Sequence, residues 1–213
     1  MKILNLYAGI GGNRKLWGDD HDITAVEYDP AIAQAYQDRF PNDTVIVGDA
    51  KQYLLDHYME FDFIWASPPC QSHSRARRSR VGVPYKNGNT YGALYPDMAL
   101  YQIILLLKNF YNGLWVVENV IPYYGSLIEP TVQIDRHYYW SNYNIQKIDI
   151  NRKYRLQDIK CTSINLSKYD IRNKIQTIRN QVDYEVGKYI LDCALGNVRH
   201  KQGGLFDDTG VTA

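Results

Sequence analysis

The sequence predicts an α/β protein with a doubly wound, mostly parallel sheet. Two features carry this expectation. Short apolar runs alternate with helix-like stretches through the first two-thirds of the chain, and several of those runs stop at glycine or proline turns. At 213 residues the chain suits one domain with a full core.

The elements follow in order. Ile3 to Tyr7 reads as a first strand, followed by the turn Gly9-Ile10-Gly11-Gly12 and a helical stretch to Trp17. Ile23 to Tyr28 is a second strand, and Pro30 opens a helix that runs to about Phe40. Thr44 to Val47 is a third strand, with a short helix from Lys51. Phe61 to Ala66 is a fourth strand, stopped by Pro68-Pro69. Residues 71–96 form a long polar loop, after which Asp97 caps an apolar helix through Phe110. Leu114 to Val117 is a fifth strand. Val132 to Trp140 and Tyr143 to Ile150 are expected to pair as a hairpin about Ser141-Asn142. Arg172 to Gln181 and Tyr184 to Leu195 read as helices, and the glycine-rich residues 196–213 as a flexible tail.

Composition removes several classes. With 45% hydrophobic and 22% charged residues, the chain is not a disordered one. Its longest apolar run, Ile103 to Leu107, is far below the roughly 20 residues of a membrane span. No basic segment and apolar core precede the first strand, so no secretory signal is expected. Three widely spaced cysteines (Cys70, Cys161, Cys193) argue against a disulfide framework and for a reducing, cytoplasmic compartment. A net charge of +1 excludes a polybasic coat for nucleic acid but leaves room for a local basic patch.

Candidate chemistry gathers at the strand ends, where ligands bind in open parallel sheets. The Tyr7 to Gly12 turn lets a ligand approach the backbone. Glu27, ending the second strand, suits ribose hydroxyls, and Asp49, ending the third, suits an adenine amino group; each acid can equally cap a helix. Arg14 occupies the last position of a dinucleotide-type glycine pattern, which disfavours a dehydrogenase. Cys70, directly after Pro68-Pro69, is a candidate nucleophile. Cys70 and His73 form a C-x-x-H pair, but no second ligand pair lies nearby, so no metal is expected. Glu118 ends the fifth strand and can share a cleft with Cys70.

Three ordered segments, Tyr7 to Gly12, Pro69-Cys70-Gln71 and Glu118-Asn119-Val120, together resemble the cytosine-C5 methyltransferases, in the form of a small, phage-like member. The resemblance implies a Rossmann-like fold of the S-adenosylmethionine-dependent type and S-adenosylmethionine as cofactor, leaving S-adenosylhomocysteine. It implies cofactor contacts by Tyr7, Gly9, Gly11, Glu27, Asp49 and Pro69. It further implies that Cys70 attacks C6 of a flipped-out cytosine while Glu118 holds the ring. It also implies that Gln71, Ser74, Arg75, Arg77, Arg78 and Arg80 meet DNA, with four arginines in the six positions 75–80. A family arginine falls here among Asp135, Arg136 and His137, and Arg136 or His137 takes its role. The family's glycine-asparagine segment is matched only by Val186-Gly187-Lys188. The resemblance divides the chain into a catalytic domain, 1–195, with a reduced target-recognition region at 143–172, and the tail, 196–213. About thirty residues are too few for an independent recognition core, so either the sequence read is short or a second subunit contributes.

Two alternatives accompany DNA as substrate: a cytosine in tRNA, already unstacked in a loop, or a catalytically silent nucleic-acid-binding relative. Gln202, Leu205 and Phe206 in the tail resemble a bacterial sliding-clamp-binding peptide, which makes a replication clamp a candidate partner. No membrane partner is expected.

Overall fold

A computed structural model describes residues 1–84, 88–148 and 165–198. Its centre is a sheet of seven strands: β1 (Lys2–Leu6), β2 (Asp22–Glu27), β3 (Thr44–Val47), β4 (Phe63–Ala66), β5 (Leu114–Val120), β6 (Val132–Ile134) and β7 (His137–Ser141). The order is β3-β2-β1-β4-β5-β7-β6. The first five strands are parallel, and β7 runs antiparallel to both β5 and β6. This is the doubly wound, Rossmann-like methyltransferase fold expected from the sequence. Its strand order reverses between β1 and β4, so the segments leaving those two strands open onto one crevice.

Helices cover both faces. On one face α2 (Ala50–His57) and α4 (Ala99–Phe110) pack Leu54, Ile103, Ile104 and Leu107 onto Leu4, Ile64 and Val117. On the other, α6 (Tyr184–Ala194) packs Val186, Ile190 and Leu191 onto Ile3, Phe63 and Val116. There α1 (Pro30–Gln37) contributes Tyr36 against Ala8 and Ala25. Burial on both faces explains why β4 reads as a continuous apolar run and why β1 does so apart from the buried Asn5. The remaining helices are short: α3 (Arg75–Arg78) and α5 (Lys174–Arg179). Among the described residues no helix is long and apolar enough to cross a membrane.

Two elements differ from the sequence reading. The hairpin turns at Asp135-Arg136 and not at Ser141-Asn142, because Ile134 pairs with His137. Asp135 adopts φ 51, a left-handed conformation that aspartate tolerates in tight turns. Alternation of apolar residues continues across that turn, which is why 132–140 read as one strand. Residues 143–148 form no strand; Ile145 is buried in the cluster containing α6. Separately, the loop 71–96 contains the single helical turn α3. Residues 149–164 and 199–213, which include most of the expected recognition region and Gln202, Leu205 and Phe206, lie outside the described residues.

One close approach ties the C-terminal helix to the first turn. A Cβ at Gly187 would sit 2.5 Å from the Asn13 carbonyl oxygen and 2.7 Å from its Cα, and Trp17 Nε1 donates to the Gly187 carbonyl. Backbone on both sides leaves little room to yield. Gly187→Ala is therefore expected to cost about 1–3 kcal/mol, the usual range for overpacking, measured by denaturant unfolding. An unchanged midpoint would mean that α6 shifts freely and does not brace the turn.

Candidate active site

The turn after β1 is held open by backbone geometry. Tyr7 and Gly9 both have positive φ (56° and 55°), and the space beside the Gly9 Cα is open. The Gly9 amide donates to Glu27 Oε2 at 2.9 Å, and the Asp29 amide donates to Oε1 at 3.0 Å. The carboxylate that ends β2 is thus fixed in direction while remaining half-exposed. Gly11 serves packing, since the Phe40 and Tyr36 rings fill the space that its Cβ would take. Asp49 is exposed and caps α2, its Oδ1 accepting from the Lys51 and Gln52 amides. Burial, and then the charges of Asp49 and Asp97, push the Tyr7 hydroxyl well above its usual pKa, so Tyr7 is a hydrogen-bonding phenol and not a base. These groups all lie at the C-terminal ends of β1 to β3.

Arg14 is buried at 3% exposure. Its Nε and Nη2 meet Asp43 at 2.9 and 3.0 Å, and the Tyr36 hydroxyl donates to the same carboxylate at 2.8 Å. This paired, hydrogen-bonded cluster braces the first turn against α1. The arginine that broke the dinucleotide pattern is therefore a structural strut, a role the sequence reading missed.

The second half of the site leaves β4 and β5. These strands pair with Ala66 opposite Val117, which sets Glu118 one residue beyond the last pair. Pro68 is buried while Pro69 is exposed, and Asn119 Nδ2 donates to the Pro68 carbonyl at 2.9 Å. Asn119 is itself buried, so this bond ties the cysteine segment to β5 from within. Cys70 and Gln71 follow, both half-buried. Burial, and after it the Glu118 charge, push the Cys70 thiol up to about 11, offset in part by a backbone hydrogen bond. Glu118 is 8% exposed. Glu118 lies within β5, two residues before its end, and its charge acts on the thiol of the segment that leaves β4.

The hairpin completes the edge. Glu118 stands opposite Tyr139, and the diagonal neighbour His137 brings Nε2 to 3.5 Å from Glu118 Oε1. Arg136, in the turn itself, has its side chain 75% exposed and 3.7 Å from Asp135. Of the two residues offered for the family arginine's role, the structure brings His137 to Glu118 and leaves Arg136 at the surface.

His73, three residues after Cys70, is almost fully buried. Its amide donates to the Cys70 carbonyl, its carbonyl accepts from the Tyr123 amide, and its Nδ1 lies 2.5 Å from the Tyr124 hydroxyl. Burial lowers its pKa, so it is a neutral latch between the cysteine loop and the segment after β5. The C-x-x-H spacing was its only signal in the sequence. Beyond it, Ser74 N-caps α3, which carries Arg75, Arg77 and Arg78. Arg75 donates to the Pro122 carbonyl at 3.3 Å, Arg78 lies 4.9 Å from the Tyr123 ring centroid, and Arg77 and Arg80 lie over Tyr91 at 5.1 and 5.9 Å. Arg75, Arg78 and Arg80 are nonetheless exposed.

Solved structures similar to this chain include three whose names are those of methyltransferases. A triple mutant of Spodoptera frugiperda DNMT2 is 22% identical over 70% of this chain and 53% of its own, with a TM-score of 0.43. The Entamoeba histolytica methyltransferase EhMeth is 12% identical over 56% of this chain and 38% of its own, with a TM-score of 0.37. A candidate DNA modification methyltransferase encoded within an Escherichia coli prophage is 18% identical over 59% and 34%, with a TM-score of 0.38. The chain spans about half the length of the DNMT2 it matches. No curated protein gives a significant match. Residues 1–120, which run from β1 to the end of β5 and include both Cys70 and Glu118, match the family model of C-5 cytosine-specific DNA methylases. More than half of the chain is covered by that match, and the protein belongs to this family.

Proposed function

We propose that the protein transfers a methyl group to C5 of a flipped-out cytosine in DNA, with Cys70 as nucleophile and Glu118 as the group that activates the ring. The observation that carries this reading is that Cys70, in the segment leaving β4, and Glu118, on the adjacent strand β5, belong to one site, with Asn119 tying the Pro68 carbonyl to β5 and the Glu118 charge acting on the thiol. The residues around the first turn fit the family's cofactor, S-adenosylmethionine. Gly9 leaves open space for it, Glu27 is a pre-oriented acceptor for ribose hydroxyls, Asp49 is an exposed acceptor at the next strand end, and Tyr7, Gly11 and Pro69 complete the surround. When bound, that cofactor supplies an electrophilic methyl group.

The chain's own residues handle the base and its protons. Glu118, sharing a proton with N3 and accepting from the exocyclic amine, draws electrons from the ring. Cys70 passes its thiol proton to solvent and its Sγ bonds to C6 as the C5–C6 double bond opens, making C5 nucleophilic. After C5 gains the methyl group its proton passes to solvent, the C–H electron pair re-forms the C5–C6 double bond as the Sγ–C6 bond breaks, and the aromatic ring returns with Cys70 leaving as a thiolate that takes up a proton. His137 supports Glu118 and the ring in place of the family arginine.

Gln71, Ser74 and the arginines of α3 meet the backbone of the strand. Replacing Arg75, Arg77, Arg78 and Arg80 together is expected to weaken DNA binding and flatten its salt dependence. The log–log slope should fall by roughly 0.9 for each arginine–phosphate pair removed. An unchanged slope would move the binding surface elsewhere. The description of the matching family, C-5 cytosine-specific DNA methylase, supports DNA as the first reading, with tRNA as the second. Labelled methyl transfer to DNA and tRNA in parallel, with mapping of the modified cytosines, separates the two. Label in tRNA alone would replace DNA as substrate, and label in neither would favour a silent relative.

The tail peptide around Gln202, Leu205 and Phe206 is proposed to recruit a sliding clamp, raising the local concentration of DNA. Titration of a purified clamp with the peptide 199–208 should show binding; its absence at high micromolar concentration would end the proposal.

A further inference from the structure

Beside the cysteine loop is a cavity of about 370 Å³, within the range of roughly 300–1,000 Å³ usual for small-molecule sites. Arg77, Arg78 and Tyr123 contribute its polar and aromatic lining, and Val81, Ala93 and Leu94 its aliphatic lining. Among the described residues no carboxylate lines it. Ser72 also reaches it, two residues past Cys70, so the cavity begins within about 7 Å of the nucleophile along the backbone. At a rise of about 3.4 Å per nucleotide, that is one or two positions along a strand.

The lining combines a flat aromatic face with a guanidinium that lies over Tyr91 and has one nitrogen without a hydrogen-bond partner among the described residues. Arg78 lies 4.9 Å from the Tyr123 ring centroid, an arrangement that offers a flat, polarisable surface. Arg77 uses Nη2 on the Gly92 carbonyl at 3.2 Å, while its Nη1 is buried with no hydrogen-bond partner among the described residues. A buried guanidinium nitrogen lacking a partner is costly unless an acceptor arrives. A bare phosphate would satisfy Arg77 but leave the aliphatic wall and the Tyr123 face unused. A nucleotide uses all three, its base against the ring and aliphatic side chains and its phosphate toward Arg77.

We propose that this cavity is a nucleotide subsite that takes an unstacked base beside the target cytosine. It rests on the nucleic-acid reading of the site and deepens it: the enzyme would grip a locally unpaired strand by a second base as well as by its target. Such a grip offers recognition surface within the catalytic domain itself.

The test is equilibrium binding of the full chain to fluorescein-labelled dodecanucleotides. One is a cytosine-containing single-stranded DNA, one has the same DNA backbone with abasic residues, and the same pair is made in RNA. Ala93→Phe fills the cavity from an exposed wall position, and Tyr123→Ala removes the stacking face. Each variant is expected to weaken binding of the base-bearing strand about tenfold, the usual order for loss of one stacked base, and to leave the abasic strand unchanged. A base-dependent loss on either polymer supports the subsite and names its source. Equal binding of base-bearing and abasic strands by the native protein, or no base-dependent loss with Ala93→Phe on either polymer, overturns it. Because the readout is binding, a failure of methyl transfer would overturn the proposed reaction without altering this result.

Discussion

Cys70→Ser is expected to abolish methyl transfer while cofactor affinity stays within about twofold, since the nucleophile holds no part of the turn that frames Gly9 and Glu27. Removing the nucleophile from an enzyme that works through a covalent adduct costs up to about 10⁶-fold in turnover. The hydroxyl keeps the shape of the thiol but not its access to an anion. In the free protein even the thiol is held protonated, because burial and then the Glu118 charge push it up to about 11 from an ordinary 9.0. Alkylation of Cys70 by iodoacetamide, followed by peptide mass spectrometry, should therefore be slow at neutral pH. It should continue to climb toward pH 11, where an ordinary thiol has already levelled off. Appreciable turnover by the serine variant would remove the covalent mechanism. Rapid alkylation at neutral pH would contradict the electrostatic description of the site.

Glu118→Gln is expected to move two observables in opposite directions. Turnover should fall by about 10²–10⁴-fold, because the amide cannot share a proton with N3. Alkylation of Cys70 in the free protein should speed up, because the charge that opposes its ionisation is gone. Damage to the fold would not pair lost turnover with a selective gain at Cys70 while the unfolding midpoint held. If turnover stays near normal, Glu118 is a structural carboxylate; if alkylation does not change, it lies too far from the thiol to act on it.

The fold was legible where the two periodicities were strong. β1 to β5 fall close to their expected positions because each has a mostly apolar run, and several are bounded by turn residues at Gly9-Gly12, Asp29-Pro30 and Pro68-Pro69. Legibility failed where a turn had no glycine or proline. Asp135 takes the left-handed conformation itself, so the β6–β7 turn was hidden inside an aromatic run. Cys70 and Glu118 were legible because a nucleophile after two prolines and an acid at a strand end are local patterns. Asn119, His73 and Arg14 were not, since each acts through a partner distant in sequence: Pro68, Tyr124 and Asp43. The choice between Arg136 and His137 depended on register. Sequence alone leaves a strand free to slip by one residue, while pairing of Glu118 with Tyr139 brings His137 to the acid.

A cytosine whose C5 proton is replaced by fluorine tests the central claim most directly, because the ring can be attacked and methylated but cannot shed fluorine as it sheds a proton. Incubation of the full chain and S-adenosylmethionine with DNA carrying 5-fluorocytosine should give a denaturation-resistant protein–DNA adduct. Digestion and mass spectrometry should locate the link at Cys70, with one methyl group on the base, and Cys70→Ser should give none. Methylation of ordinary cytosine with no adduct on the fluorinated strand, or an adduct at another residue, would contradict the account.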